Sequence, residues 1–189
     1  PFYFLAAVFA SLSIVLWSLE YAGWLPAPYL EAPTRHAHEM LFGFAFAVIA
    51  GFLFTAVRNW AGEPTPTGGW LAAIVALWIA ARVAMVTPTP VLAATLNTAF
   101  PIAVAIGIGI PLARSGNRRN YFFVALLVAV GLAALVVHLG AMGVLPWEAR
   151  GVSIALTLDI VMLIIAVMAG RVLAMFTNNA IPGAGAERK

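Results

Sequence analysis

The sequence predicts an all-α, polytopic membrane protein whose six transmembrane helices form one bundle. Three observations carry this. Of 189 residues, 63% are hydrophobic and 9% charged, against about a quarter charged in a soluble domain. The apolar residues gather into six long runs, and a spanning helix needs about 20 such residues. The connectors between runs carry proline, glycine, serine and asparagine, which break helices.

The first run, Phe2–Leu25, is too long for the core of a signal peptide and has no basic segment before it, so it reads as a span. Pro26 and Pro28 end it. The second, Ala37–Trp60, follows Pro33, a favourable first-turn residue. The third, Gly69–Thr87, lies between Pro64/Pro66 and Pro88/Pro90. The fourth, Val91–Ala113, stops at Ser115-Gly116-Asn117. The fifth, Tyr121–Val144, stops before Pro146, and the sixth, Gly151–Thr177, before Pro182-Gly183. Residues 1–182 therefore make the bundle, and Gly183–Lys189 reads as a disordered tail or a truncated linker. An opening Pro1 in place of Met reads as a piece of a longer chain. There is no convincing repeat and no soluble domain.

Composition also excludes. Without cysteine there is no disulfide, thiolate metal site or iron–sulfur cluster. No phosphate-binding loop, dinucleotide fingerprint or serine nucleophile motif occurs. The net charge of +3 comes from basic residues at membrane edges, which points to membrane lipid and not to nucleic acid as a partner. Arg58, Arg114, Arg118, Arg119, Arg171, Arg188 and Lys189 fall on one side; Arg35, Arg82 and Arg150 fall toward the other. The richer side is expected to be cytoplasmic, which puts the N-terminus there. Trp24 and Trp147 then mark the outer interface, Trp60 and Trp70 the inner one.

Chemistry concentrates where the second run opens. His36, His38, Glu39 and Met40 crowd into five positions, while the rest of the chain holds one more histidine, His138. Charged groups inside a membrane cost a few kcal/mol each, and here they sort by depth. Glu20, Arg82 and His138 lie near the outer ends of their helices, and Asp159 is somewhat deeper. Together with His36, His38 and Glu39 they point to one polar site in the outer half. Gly43, Ala47 and Gly51 make a small-residue row that admits a neighbouring backbone. At 100° per residue His36, Glu39 and Met40 share that face and His38 opposes it. His36 and His38 therefore cannot hold one ion from a regular helix: either one binds alone, or the turn is unwound. His138 shares a face with Gly131, Ala134 and Met142; Asp159 shares one with Ala155, Met162, Ala166 and Gly170. Both faces are expected to point inward.

Imidazole is the usual axial ligand of haem iron, and histidine with methionine suits copper. The candidates to bind a cofactor or metal are His36, His38 and His138, with Met40 and Met142 as thioethers. Arg82 is a candidate partner for a haem propionate, or for Glu20 or Asp159. Glu39, Asp159 and Glu20 are candidates to orient an imidazole or carry protons. The plainer readings are an interfacial histidine pair wetted by headgroups, a lone His138 bonded to a hydroxyl or carbonyl, methionines that pack, and a Glu39 favoured by the helix dipole.

The runs His36-Ala-His-Glu-Met-Leu-Phe-Gly-Phe44, Ala47–Val57 and Asn59-Trp60-Ala-Gly62 resemble the signature of the NnrS family. Trp78-Ile-Ala-Ala-Arg82 and Gly170–Ala180 resemble further landmarks of it. Arg58 and Ala174 stand where the family pattern has proline, which leaves the second helix straighter and the sixth without a kink. The resemblance implies a bacterial inner-membrane protein with haem b and copper, linked to nitric oxide, denitrification and tolerance of nitrosative stress. It implies a longer protein of which this is the N-terminal half, hence the C-terminal half as a partner, with nitric oxide or a related small ligand; a respiratory-chain partner belongs to a further reading, a passive assembly subunit of a larger respiratory complex. The family motif falls on His36, His38 and Glu39; His138 follows from depth and face alone. The alternative is a membrane transporter or scaffold subunit with a buried ion-pair site and no metal.

Overall fold

The computed structural model describes residues 1–25 and 29–181; the tail expected at Gly183–Lys189, with Pro26 and Pro28, lies outside them. The described residues form α1 (Phe2–Tyr21), α2 (Ala32–His38), a π-helical segment (Glu39–Ala45) and α3 (Phe46–Ala61). After these come α4 (Gly68–Ala84), α5 (Pro90–Arg114), a 3-10 turn (Arg118–Asn120), α6 (Tyr121–Ala141) and α7 (Glu148–Ala180). Helix α2, the π segment and α3 run on as one span, Ala32–Ala61. The six expected spans are therefore present.

Five spans are long and apolar enough to cross a membrane. The sixth, α4, has 17 residues and rises about 25 Å, short of a hydrocarbon core of about 30 Å. Its run of apolar residues continues to Thr87, but the chain tightens first. The N–H groups of Met85, Val86 and Thr87 bond back three residues, to the carbonyls of Arg82, Val83 and Ala84. The residue before Pro88 is disfavoured in a helix, so the last turn closes early. With Arg58 in place of proline α3 runs on to Ala61, where Gly62 (φ 66°) caps it left-handed and bonds back to the Arg58 carbonyl. Helix α7 continues unbroken through Ala174 to Ala180.

Helix α5 is the centre, packed against α3, α4 and α6; α7 leans on α6 and the π segment, and α1 on α2, the π segment and α3. Phe100 of α5 joins the layers, with its ring 6.0 Å from Phe2 and 5.8 Å from Phe46. The small-residue row faces α1 as its spacing requires. A Cβ on Gly43 would lie 2.7 Å from Phe9 and from Arg82, and one on Gly51 would lie 3.0 Å from Phe2. Gly43 thus lets α1 and α4 close over the π segment.

Candidate functional site

Glu20, Arg35, His36, His38, Glu39, Arg82, Asn97 and His138 gather at the end of the bundle where α1 stops and α2 starts, here the histidine end. A π segment adjoins the histidines. Its wider turn follows His38 directly and carries Glu39 and Gly43; such insertions recur at functional sites. The turn is widened, not unwound, and the two motif histidines, both on α2 just before it, part by helical angle. His36 stacks on Trp17 of α1, ring centroids 4.6 Å apart. His38 turns to the other side and meets His138 of α6 edge-on, centroids 5.0 Å apart.

His38 and His138 are fully buried, and each is held by Nδ1. His38 Nδ1 lies 3.0 Å from Glu39 Oε1. An ionised carboxylate only accepts, so the ring proton sits on Nδ1. Arg82 Nη1 donates to the same Oε1 at 2.5 Å, while Arg82 Nη2 donates to Asn97 Oδ1. Asn97 is oriented in turn by its Nδ2, which donates to the Ala93 carbonyl at 2.8 Å. The chain His38–Glu39–Arg82–Asn97 therefore crosses three spans with its two charges compensated.

His138 Nδ1 pairs with the Tyr29 hydroxyl, which also lies 3.8 Å from Met85 Sδ. When the phenol gives its proton to sulfur, Nδ1 carries the ring proton and Tyr29 accepts it. Burial pushes the Tyr29 phenol's pKa up, and the Glu39 charge adds to this, so the phenol stays protonated. His138 is thus bonded to a hydroxyl, as the plainer reading has it, but through one nitrogen. The Nε2 atoms of both His38 and His138 are buried without a partner.

Unpartnered buried nitrogens on adjoining imidazoles suit a small cation. At metal–nitrogen distances of about 2.0–2.1 Å, two imidazoles on one ion at a tetrahedral angle have centroids about 5 Å apart, as here. Across a porphyrin, with the nitrogens opposed, the centroids would be about 6 Å apart. The centroid spacing is thus that of two imidazoles on one small ion, and shorter than that of two on opposite faces of a haem. Among the described residues no group of three or more His, Cys, Asp or Glu stands ready for a metal.

The other expected residues are placed differently. Met142 lines a separate cavity between α5 and α6, with Thr98 and Leu139. Met40 is half-buried. Glu20 pairs with Arg35 and not with Arg82. Asp159 corrects its reading outright: it is exposed, as are Ala155, Met162, Ala166 and Gly170, because α7 packs through Ser153, Thr157, Ile160 and Ile164. Asp159 therefore neither pairs with Arg82 nor reaches the imidazoles. Tyr29, Met85, Asn97, Arg35 and Trp17 were not read from the sequence as site residues. An amide inside an apolar run was the available signal for Asn97; Tyr29 lies in a connector and gave none.

The NnrS family model ("NnrS protein") matches residues 1–189. No curated protein and no solved structure matches the chain. The run His36–Phe44 covers the end of α2, which carries both histidines, and most of the π segment. A helical membrane chain matched over its full length in this way belongs to the NnrS family.

Proposed function

We propose that the His38–His138 pair holds copper in a bacterial inner-membrane protein linked to nitric oxide chemistry. The observation that carries this is the pair of unpartnered, buried Nε2 atoms with both Nδ1 atoms already held. Hydrogen-bonded Nδ1 atoms fix ring orientation and tautomer at metal sites. Neutral imidazole with a nearby thioether, here Met85, favours copper. Two protein ligands leave positions open for a small neutral gas arriving through lipid, which is where nitric oxide, supplied by the family reading, would bind. The neutral balance of Glu39 and Arg82 keeps the surroundings of the site free of net charge. Haem rests on the family reading alone. The distribution of arginines supports a cytoplasmic N-terminus, with the histidine end on the periplasmic side.

The test is copper analysis of the purified full-length protein beside His138→Ala. Copper bound by the wild type and lost from the variant, at unchanged helicity, supports the site. Equal copper in both removes His138 from it. Metal-free wild-type protein that moves a solute would favour the transport reading, in which Glu39 and Arg82 form an ion-pair site.

A further inference from the structure

Across α2 from the imidazole pair lies a second polar site, with a different access. A cavity of about 190 Å³ opens between α1 and α4 and is floored by His36, Glu39 and Arg82. Its lips, Leu12 of α1 and Val83 of α4, are 59% and 55% exposed and sit on membrane-spanning helices, so the mouth opens to lipid. Phe9 and Trp17 form apolar walls, Phe9 beneath the Arg82 guanidinium at 5.8 Å.

Buried atoms without partners collect here. Trp17 Nε1, His36 Nδ1 and Arg82 Nε have none, and each such group costs about 1–3 kcal/mol if it stays unmet. Arg82 is itself more than nine-tenths buried. The indole N–H and the guanidinium Nε–H can only donate, so the occupant must accept hydrogen bonds. Both cations at the cavity are already neutralised, Arg35 by Glu20 and Arg82 by Glu39. An anion or phosphate headgroup would therefore find no surplus charge. The volume is about six times water's share of the liquid, about 30 Å³, enough for one ring and far too little for a porphyrin.

We propose that this cleft binds the head of a membrane-dissolved quinone, its carbonyl oxygens accepting from Trp17 and Arg82 and its tail leaving between Leu12 and Val83. The ring lies against Phe9 and the tilted Trp17–His36 pair, and Trp17 Nε1 and Arg82 Nε, buried behind the lining, turn toward its oxygens on binding. The cleft shares Glu39 with the support of His38 but opens on the other side of α2, and the proposal stands without a metal at the imidazole pair.

The experiment is equilibrium binding of a short-chain ubiquinone to the full-length protein in lipid nanodiscs, with copper measured on the same samples. Trp17→Phe keeps the ring and removes the donor; it is expected to weaken binding about fivefold to tenfold. Leu12→Trp closes the mouth without touching a polar group and is expected to abolish binding. Copper content is expected to be unchanged in both. Wild-type protein that does not bind the quinone, or binds it with equal affinity in both variants, overturns the proposal. So does a cleft that retains phospholipid which excess quinone does not displace. Loss of copper in His138→Ala with quinone binding intact would separate the two sites.

Discussion

Glu39 Oε1 takes two donors at once, His38 Nδ1 at 3.0 Å and Arg82 Nη1 at 2.5 Å. One carboxylate oxygen thus sets the tautomer of an imidazole and neutralises a guanidinium inside the bundle. A buried charge left alone costs about 3–5 kcal/mol. Arg82→Met is expected to lower stability by about that much, and Glu39→Gln by a similar amount. The double variant is expected to recover part of the loss, since neither charge then remains. Thermal unfolding of the four proteins in detergent measures the coupling. Additive losses would mean that the pair is not coupled.

On the other imidazole the partner is neutral. Tyr29→Phe removes the hydroxyl that lies between His138 Nδ1 and Met85 Sδ and leaves the ring in place. Loss of an outer partner of a metal-binding histidine costs about 10–100-fold in affinity. The variant is expected to keep its fold and bind copper weaker by that factor, read by competition with a copper(I) chelator. Unchanged affinity would show that Tyr29 does not orient the ring.

Packing on the small-residue row gives a third expectation. Ala47 is fully buried in the row that faces α1, so Ala47→Leu must push α1 away and is expected to cost about 1–3 kcal/mol. Ala166→Leu makes the same change on the exposed face of α7 and is expected to be neutral within about 0.5 kcal/mol. The contrast is read from the unfolding midpoints. Equal midpoints for Ala47→Leu and wild type would remove the row from the α1 contact.

The spans were legible because the hydrocarbon core dictates run length, and proline and glycine mark the ends of runs. The opposition of His36 and His38 was legible from helical angle alone, and the regular helix α2 keeps it. The meeting of His38 with His138 was expected only as a shared depth, since periodicity gives a face but not the neighbour it meets. Asp159 was misplaced for a physical reason. Keeping polar groups from lipid is a rule about what a face avoids, whereas α7 chose its packing face by the fit of Ser153, Thr157 and Ile164. The early end of α4 was hidden because Met85, Val86 and Thr87 are compatible with a helix, and only the closure of the turn before Pro88 stops it.

The end of the bundle away from the histidines has its own clasp. Arg171 of α7 donates from Nη1 to Asn120 Oδ1 at 2.7 Å. Its guanidinium also lies 4.8 Å from the Trp60 ring centre, 5.3 Å from Phe123 and 5.8 Å from Phe122. Trp60 and Phe123 are themselves stacked at 5.6 Å, so one side chain ties α7 to the end of α3 and the start of α6. A planar guanidinium can stack and donate together, whereas an ammonium on a flexible stem cannot. A cation over an aromatic face contributes about 0.5–1 kcal/mol where it is exposed and about 2 where it is not. Arg171→Lys keeps the charge and is expected to cost about 1 kcal/mol in thermal unfolding. Trp60→Leu is expected to cost more in the wild type than in the Arg171→Lys background, because the ring loses its planar partner there. An equal cost of Trp60→Leu in both backgrounds would show that the stack contributes nothing, and that Arg171 acts through Asn120 alone.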